Sequence, residues 1–587
     1  MAGKTGKAFD FKMFGRLLKY TNPYKWTLYF VGLSAILLSG FAVLRPYLLQ
    51  ITIDESIVPK DNDNLLFFIV LMLAVLILEV IFQFCFIYFA NWLGQEVIRD
   101  IRVNLFEHML GFKKQYFDKS AVGRLVTRAV SDIETIASIF SQGLFMIISD
   151  LLKMVVVLGF MFYQSWQLTL LVLTVLPFIL YATKVFQQKM KIAFEEVRTQ
   201  VANLNSFVQE RITGMKILQI FGRENTEYEK FKNINDKHRK GWVKAVWYNS
   251  IFFPIAEMST SITIGLVVWY GGLRVMENDA LSLGVVIMFI QLIEMLFRPL
   301  RQIADKFNTL QMGMVAANRV FGIMDTEAII EDTGKTEAKN LVGEIQFKNV
   351  RFGYSPDEEV LKGVSFEVNA GETLAIVGAT GAGKSTIINL LSRFYEINSG
   401  QICVDEIPIK DFTLKSLRDE IAVVLQDVFL FADTILNNIT LGNKDITEEK
   451  VIQAAKQIGV HDFISSLPNG YHYNVKERGA MLSSGQRQLI AFLRAYMSNP
   501  SILVLDEATS SVDSHSEHLM QQATDKLTKG RTSIVIAHRL ATIKNADRIL
   551  VMEAGEIVET GTHRQLLQRE NGIYRKLYEV QFQAEEV

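Results

Sequence analysis

The sequence predicts two parts of different fold class: an α-helical membrane domain of six long transmembrane helices, followed by an α/β domain with an antiparallel β addition. Half of the 587 residues are hydrophobic and the mean hydropathy is +0.21, which is too apolar for an ordinary soluble enzyme of this length. Stretches long enough to cross a bilayer occur before residue 305, and short apolar runs that alternate with helical patterns occur after residue 342. The chain is therefore expected to contain one membrane part and one soluble part.

Residues 1–26 have the pattern of an amphipathic helix that lies at a membrane surface. Six basic residues accompany a single acid, Asp10, and apolar residues between Phe11 and Leu18 recur at helical spacing. A secretory signal peptide is the alternative. The apolar run that follows is long enough to span a bilayer and lacks a small-residue cleavage pattern, which favours the surface helix.

Six apolar stretches follow, and each supplies the roughly 20 residues that a spanning helix needs. They are residues 27–50, 65–94, 135–163, 164–186, 245–274 and 280–304. The first loop is acidic whereas the N-terminus is rich in lysine, so the positive-inside rule places both termini in the cytoplasm. The predicted domains are an N-terminal helix (1–26), a membrane domain (27–324), a polar linker (325–340) and a soluble domain (341–587).

Two charged segments between the spans, 95–134 and 187–244, are helical in pattern and fall on the cytoplasmic side. They predict helices that continue well beyond the bilayer. Within them, residues 116–125 and 209–221 could form helix–helix turns that face a cytoplasmic domain, and an ordinary solvated face is the alternative.

Charged residues also occur inside the apolar stretches, where a charge is costly and by default indicates function. They are Arg45, Glu79, Asp150, Lys153, Glu257 and Glu294. Asp150 and Lys153 can pair at i, i+3 spacing, and long helices place some of these residues in headgroups or water. Glu257 and Glu294 are the candidates for a substrate path.

The soluble part carries a glycine-rich loop with the spacing GxxxxGK(S/T), which cradles phosphate groups. Its glycines let backbone N–H groups approach a polyphosphate, Lys384 reaches the β/γ oxygens, and the Ser385 hydroxyl can ligate Mg²⁺. Upstream, Tyr354 can stack on adenine through its π face. The predicted nucleotide-binding residues of the loop are Gly378, Thr380, Gly381, Ala382, Gly383, Lys384, Ser385 and Thr386.

Four apolar runs predict buried parallel strands, at residues 373–377, 421–425, 502–505 and 533–537. Each run ends at a polar or glycine position: Gly378, Gln426, Asp506 and His538. Open parallel sheets bind ligands at the carboxyl ends of their strands, so these four positions should converge on one site.

The residues at and next to the strand ends suggest different chemical roles. Asp506 is the expected carboxylate near Mg²⁺, with Ser385 as the other protein group close to the metal. Glu507 can orient an attacking water or accept its proton. Gln426 can bridge the metal and the water, and His538 can donate to the γ-phosphate. A single glutamine or histidine at a strand end would ordinarily be structural, so these assignments depend on the convergence.

A second helix start, at residues 482–486, carries serine and glycine and opens a helical run to Met497. Such a helix N-terminus binds anions. Because the chain already has one phosphate-binding helix start, the second indicates a phosphate that another molecule presents.

Together these motifs resemble the full set found in ATP-binding cassette (ABC) proteins. They are residues 378–385, Gln426, 482–486, 502–507, 511–513 and His538. The six-span part is similar to that of an ABC exporter half-transporter of the lipid-flippase and multidrug kind, and the likeness covers essentially the whole chain. It implies a phosphate-loop nucleotide-binding cassette with an antiparallel β subdomain and a helical subdomain.

The resemblance also implies roles for individual residues. Glu507 would be the catalytic base, His538 the γ-phosphate sensor and Tyr354 the adenine-stacking residue. Two cassettes of this family sandwich two ATP molecules head to tail, and Asp513 would link the two sites. The signature residues that would contact the partner's ATP are Ser483, Ser484, Gly485 and Gln486.

The cytoplasmic stretches 117–125 and 209–221 resemble the coupling helices that pass cassette closure to the membrane helices. The sequence departs from the family pattern at two positions. Ser484 replaces the usual first glycine of the signature, and Lys476 stands where glycine is more usual. The second departure bears on the communication between cassette and coupling helix.

The expected activity is ATP-driven efflux of a hydrophobic or amphipathic substrate, such as a lipid, drug or peptide, with ATP and Mg²⁺ as cofactors. The expected partners are membrane lipid and a second half-transporter, identical or related, in the inner membrane of a bacterium. The net charge of −1 gives no global basic field, so no nucleic-acid partner is expected. Two alternatives stay open: a nucleotide-gated channel or regulator, and an importer with the exporter fold.

Overall fold

The computed structural model describes residues 11–60, 62–277, 281–355, 358–506, 514–537 and 540–581. The chain divides into two compact units. The first comprises Met1–Leu110 and Ser120–Glu327, and the second comprises Gly111–Lys119 and Ala328–Val587. The short segment Gly111–Lys119 thus belongs to the second unit, although its sequence lies between two helices of the first.

The first unit is built from helices. With α4, which belongs to the second unit, the helices up to residue 324 are α1 (Phe11–Lys19), α2 (Lys25–Ile51), α3 (Asn62–Leu110), α4 (Lys114–Lys119), α5 (Val122–Thr127), α6 (Ile133–Ser138), α7 (Phe145–Gln164), α8 (Trp166–Thr213), α9 (Met215–Ile220), α10 (Glu224–Met276) and α11 (Leu283–Met324). Short π-helical turns at Thr52–Ile57, Arg128–Asp132 and Ile139–Leu144 adjoin them.

Within the described residues, six helical segments are long and apolar enough to cross a membrane, which confirms the six predicted spans. They are Asn22–Ile57, Asn64–Leu110, Phe145–Gln164, Trp166–Thr213, Glu224–Met276 and Leu283–Leu300. The third begins at Phe145 rather than at residue 135, because short helical pieces and the turn Ile139–Leu144 precede it.

Four of these helices are far longer than a bilayer is thick. α3 has 49 residues, α8 has 48, α10 has 53 and α11 has 42. At a rise of about 1.5 Å per residue they measure about 60–80 Å, against a hydrocarbon core of about 30 Å. The prediction that helices continue beyond the membrane is therefore confirmed. The short helix α9 forms the turn between α8 and α10, inside the predicted stretch 209–221.

The apolar part of α11 is the most enclosed element of the first unit. Of its apolar window 56% is buried, whereas only 6% of the corresponding window of α3 is buried. Phe289, Leu292 and Ile293 of α11 have no accessible surface. The apolar window of α3 is therefore the one best suited to face lipid, whereas Leu93, Val97 and Ile101 farther along this helix are completely buried.

Helix α1 is anchored to the end of α11. The guanidinium of Arg16 donates to both carboxylate oxygens of Asp325, at 2.6 and 2.7 Å, and lies 4.2 Å from the centre of the Phe321 ring. Leu17 is completely buried. The predicted amphipathic helix thus packs its apolar side on protein at this point.

Charged side chains in the spans form pairs between helices. Asp150 of α7 pairs with Lys306 of α11, and this pair replaces the expected one with Lys153. Arg45 of α2 lies 3.9 Å from Glu79 of α3. The interhelical partner is favoured because a pair within α7 would leave the largely buried Lys306 ammonium uncompensated.

We expect Lys306→Met to leave Asp150 as an unpaired, largely buried charge and to lower the free energy of unfolding by about 3 kcal/mol. Thermal denaturation of the purified protein in detergent measures this as a lower Tm. The charge-swapped double variant Asp150→Lys, Lys306→Asp should recover most of the loss. Lys189→Met, which removes an exposed lysine of α8, serves as the control. A double variant no more stable than Lys306→Met would contradict the pairing.

The second unit contains ten strands. They are β1 (Ile345–Phe352), β2 (Leu361–Val368), β3 (Thr373–Gly378), β4 (Ser399–Val404), β5 (Ile407–Pro408), β6 (Ile421–Val424), β7 (Ile502–Asp506), β8 (Thr532–Ile536), β9 (Arg548–Glu553) and β10 (Glu556–Gly561). The count refers to the described part of the chain.

The remaining helices connect and cover these strands. They are α12 (Lys384–Leu391), α13 (Leu414–Asp419), α14 (Ile435–Thr440), α15 (Glu448–Ile458), α16 (His461–Ser465), α17 (Ser484–Met497), α18 (Ser514–Thr528), α19 (Leu540–Asn545), α20 (His563–Leu567) and α21 (Ile573–Gln581).

The strands form two sheets, which confirms the predicted α/β domain with an antiparallel addition. A four-stranded antiparallel sheet has the order β2-β1-β4-β5, and a six-stranded sheet has the order β10-β9-β3-β8-β7-β6. In the larger sheet all neighbours are parallel except β10 and β9. The helices α14, α15 and α17 pack together on one core and form the helical subdomain.

Candidate nucleotide-binding site

The phosphate loop connects β3 to α12 through positions that only glycine fits. Gly378 has a φ of +155°, and a Cβ there would lie 2.2 Å from the carbonyl oxygen of Met552. Gly383 has a φ of +99°, and its Cβ would lie 2.7 Å from a methyl carbon of Leu361. The backbone can therefore turn tightly at both ends of the loop, as a phosphate cradle requires. Thr380, Gly381 and Ser385 are exposed, and Ala382 and Thr386 are buried.

The side chain of Lys384 lies within this loop. Only 8% of the residue is exposed, and Nζ donates to the carbonyl oxygens of Gly378 at 2.7 Å and Ala379 at 3.0 Å. Burial lowers the pKa of the Lys384 ammonium, and the nearby carboxylate of Asp506 opposes that effect. A positive charge is thus held next to the loop backbone, where phosphate oxygens would be attracted to it.

The larger sheet brings the predicted strand ends to one edge. β3 pairs with β8, β8 with β7 and β7 with β6, all in parallel. Asp506 is the last residue of β7 and lies opposite Ile536 of β8. β6 ends at Val424, one residue before the predicted end, because Leu425 leaves the sheet and is 52% exposed. Gln426 follows and is exposed at the same edge.

The donor atoms at this edge suit Mg²⁺. Ser385 offers a hydroxyl oxygen, Asp506 a carboxylate and Gln426 an amide oxygen, and hard oxygen ligands are what Mg²⁺ prefers. Within the described residues no cluster of three or more His, Cys, Asp or Glu side chains is present. Mg²⁺ usually takes one or two carboxylates and completes its shell with phosphate and water.

Tyr354 is half-buried beside the first turns of α12. Its hydroxyl lies 3.2 Å from Thr386 Oγ1 and accepts a hydrogen bond of 3.2 Å from Asn389 Nδ2. A cavity of about 670 Å³ opens next to it, bordered also by Phe352 and Tyr395. The sequence pointed to Tyr354 but gave no signal for Asn389, which lies outside the phosphate-loop motif.

The second helix start is stabilised by a capping box. Ser483 Oγ accepts from the Gln486 N–H at 3.2 Å, and Gln486 Oε1 accepts from the Ser483 N–H at 3.0 Å. Ser483 and Ser484 are exposed, whereas Gly485 is buried. Gln486 therefore holds the end of α17 in place, a function that the spacing Ser-x-x-Gln signals.

Three further predicted site residues, Glu507, Asp513 and His538, lie outside the described residues. Glu257 of α10 and Glu294 of α11 belong to the first unit, and both are exposed in the single chain.

Lys476, one of the two departures from the family pattern, has an unfavourable backbone conformation. Its φ is +59° and its ψ is −174°, a region that essentially only glycine occupies. The Lys476 N–H donates to Asn474 Oδ1 at 2.9 Å, which helps to hold the turn. The lysine is consequently strained at a place where glycine would not be.

We expect Lys476→Gly to stabilise the second unit by about 1 kcal/mol, because relief of about 1–3 kcal/mol of strain is partly offset by the greater freedom of glycine in the unfolded chain. Thermal denaturation of the full-length protein measures the shift. Lys476→Ala removes the same side chain but keeps a Cβ, so its Tm should stay close to that of the wild type. Equal shifts of the Tm in the two variants would contradict this prediction, because they would show that loss of the lysine side chain, and not relief of backbone strain, changes the stability.

Comparison with known proteins covers both units. Residues 28–300 match the family described as the ABC transporter transmembrane region, and residues 361–510 match the family described as ABC transporter. The uncharacterized ABC transporter ATP-binding protein YknV of Bacillus subtilis is 36% identical over 98% of this chain and 96% of its own length.

Two further relatives are named ATP-dependent lipid A-core flippase. That of Idiomarina loihiensis is 37% identical over 97% of this chain and 98% of its own length, and that of Syntrophus aciditrophicus is 34% identical over 98% and 95%. Because both parts match within one chain and the relatives align almost end to end, this chain belongs to the ABC transporter family, as an exporter-type half-transporter whose ATPase activity is coupled to transport.

Proposed function

We propose that this chain moves a hydrophobic or amphipathic substrate out of the cell as one half of a dimer in which two cassettes enclose two ATP molecules. The observation that carries the proposal is the pair of helix starts in the second unit. α12 closes the phosphate loop of its own chain, and α17 presents the exposed Ser483 at its N-terminus. A nucleotide held by one loop uses the first, which leaves the second for the nucleotide of a partner.

In the proposed cycle ATP binding draws the cassettes together and opens the membrane domain outward, and hydrolysis with product release resets it. The buried Lys384 supports binding because its ammonium can exchange loop carbonyls for phosphate oxygens. Glu507 would orient the attacking water, His538 would donate to the γ-phosphate and Asp513 would link the two sites. The partner's ATP would meet the N–H groups and the hydroxyl at the start of α17.

Mg²⁺ would be held by Ser385, Asp506 and Gln426 together with the phosphates. When bound, it neutralises charge on the β- and γ-phosphate oxygens and fixes their orientation. The hydroxyl of Ser385 lies at the exposed start of α12 and Asp506 at the end of a strand, so both oxygens are positioned by regular backbone.

The proposed substrate class rests on the surface of α11 as well as on the relatives. Gln291, Glu294 and Arg298 recur at helical spacing along one side of this span, and Glu294 and Arg298 are exposed in the single chain. Charged residues at membrane depth normally face a bundle interior or a water-filled cavity. A polar stripe in a helix that is otherwise apolar suits an amphipathic molecule such as a lipid, and drugs or peptides share that character.

The proposed location is the inner membrane of a bacterium, with both termini and the cassette in the cytoplasm. The lysine-rich N-terminus and the acidic loop after the first span support this orientation. The relatives named above all come from bacteria. The partner would be a second copy of the chain or a related half-transporter.

We expect Glu507→Gln to reduce the vanadate-sensitive ATPase rate of the purified protein by about 100-fold or more, because the attacking water loses its base. ATP should still bind, since the phosphate loop is untouched. Glu556→Gln, at an exposed position of β10, is the matched control and should keep the wild-type rate. A wild-type rate in Glu507→Gln would contradict the assignment of the base.

The direction of transport distinguishes the exporter from the alternatives. ATP-dependent, uphill accumulation of a fluorescent lipid or dye in inside-out vesicles is expected, and Glu507→Gln should abolish it. Accumulation in right-side-out vesicles would indicate an importer. Flux that only follows the gradient, with nucleotide binding but no need for hydrolysis, would indicate a gated channel.

We expect Glu294→Gln to change the apparent KM for substrate stimulation of the ATPase by about two- to tenfold, as loss of one polar contact does, and to leave the unstimulated rate near that of the wild type. Glu55→Gln, at an exposed position of the turn Thr52–Ile57, is the control for removal of an acid from the membrane domain. An unchanged stimulation curve for Glu294→Gln would remove this residue from the substrate path.

A further inference from the structure

A chain of hydrogen bonds joins Lys114 to the helix of the phosphate loop. Lys114 Nζ donates to Asn389 Oδ1 at 3.2 Å, and Asn389 Nδ2 donates to the Tyr354 hydroxyl at 3.2 Å. That hydroxyl lies 3.2 Å from Thr386 Oγ1. All four residues belong to the second unit, although Lys114 and Asn389 are 275 positions apart in sequence.

The first two hydrogen bonds of this series have a defined direction. An ammonium group can only donate, so Asn389 accepts from Lys114 and gives an amide proton to Tyr354. In the contact between the Tyr354 and Thr386 hydroxyls either oxygen can be the donor. Thr386 is only 5% exposed, so the Tyr354 hydroxyl is linked to a buried side chain of the phosphate loop. Hydrogen bonds connected in this way strengthen one another.

Aromatic contacts hold the Tyr354 ring in the same place. The ring meets Phe352 edge-on with centroids 4.9 Å apart, and Tyr395 edge-on with centroids 5.0 Å apart. The Tyr395 hydroxyl in turn donates to Asp118. Desolvation, and then Asp118, raise the pKa of Tyr395 well above its ordinary value, so the phenol stays protonated as a donor. The segment Gly111–Lys119 therefore supports Tyr354 by two routes.

We propose that Asn389 and Lys114 are positioning residues for nucleotide binding, which hold Tyr354 in place and so make the adenine-binding surface depend on the segment Gly111–Lys119. The inference rests on the proposed stacking of Tyr354 on adenine. This segment follows directly after α3, which ends at Leu110. The segment thus affects ATP affinity at the residue that contacts the base rather than at the phosphates.

The expected effect is on affinity and not on the chemical step. Asn389→Leu removes both hydrogen bonds at similar volume and should raise the Kd and KM for ATP about three- to tenfold, with kcat near the wild-type value, because Asn389 touches no reacting phosphate. Should that variant fail to fold, Asn389→Ala, which also removes both hydrogen bonds, should show the same rise in KM.

Tyr354→Phe is the decisive comparison, because it keeps the stacking ring and removes only the hydroxyl. Equilibrium binding of a fluorescent ATP analogue to the purified full-length protein, together with the KM and kcat of the ATPase, gives the readout. If the chain operates as proposed, Tyr354→Phe and Asn389→Leu each weaken binding and the double variant is little weaker than either. Wild-type binding in Tyr354→Phe, or fully additive losses in the double variant, would overturn the inference.

The role of Lys114 is tested against its neighbour. Lys114→Met should raise the KM for ATP, and Lys113→Met, which removes an equal charge from the same segment, should not. If the two variants raised the KM equally, Lys114 would contribute only a general electrostatic attraction of the nucleotide. That result would overturn its positioning role. Tyr354→Ala separates this inference from its premise: weaker binding only in Tyr354→Ala refutes the hydrogen-bond chain alone, whereas wild-type binding in Tyr354→Ala refutes the stacking role itself.

Discussion

The parallel pairing of β3 with β8, and through β8 with β7 and β6, is the constraint on which the cassette depends. The strands lie about 4.8 Å apart, so parallel order is what brings residues from three distant parts of the sequence to one edge. β8 is completely buried and β7 is buried up to its last residue. Burial of aliphatic side chains stabilises the pairing of the strands. The polar side chains lie at the carboxyl ends of the strands, where the buried aliphatic runs end.

Features that repeat along the sequence could be predicted, since their cause is local. The strand predicted at 502–505 is observed as Ile502–Asp506, because an aliphatic run that ends in an acid marks both its burial and its end. The six spans were predictable because a length threshold suffices. The capping box at Ser483 follows from the spacing of two residues.

Contacts between distant residues could not be predicted in this way. Asp150 pairs with a lysine 156 positions away although Lys153 lies within one helical turn. The bond between Asn389 and Lys114 joins residues 275 positions apart, and neither belongs to a motif. Which side chains meet depends on how helices and loops pack, and a single sequence contains no periodic signal for that choice. The strained backbone of Lys476 lies between these two cases. The sequence shows that lysine is unusual at this position, but it does not show the φ of the residue.

The exposed hydroxyl of Ser483 has a consequence for what α17 can recognise. Its oxygen already accepts the Gln486 N–H, and the Ser483 N–H is already given to the Gln486 side chain. What remains for an approaching molecule is the hydroxyl proton, one lone pair of the hydroxyl oxygen and the free N–H groups of the first helical turn, most of them donors. The end of α17 therefore binds hydrogen-bond acceptors better than hydrogen-bond donors. Two such surfaces would not bind one another directly, because both are rich in donors. A molecule rich in acceptors between them would allow them to associate.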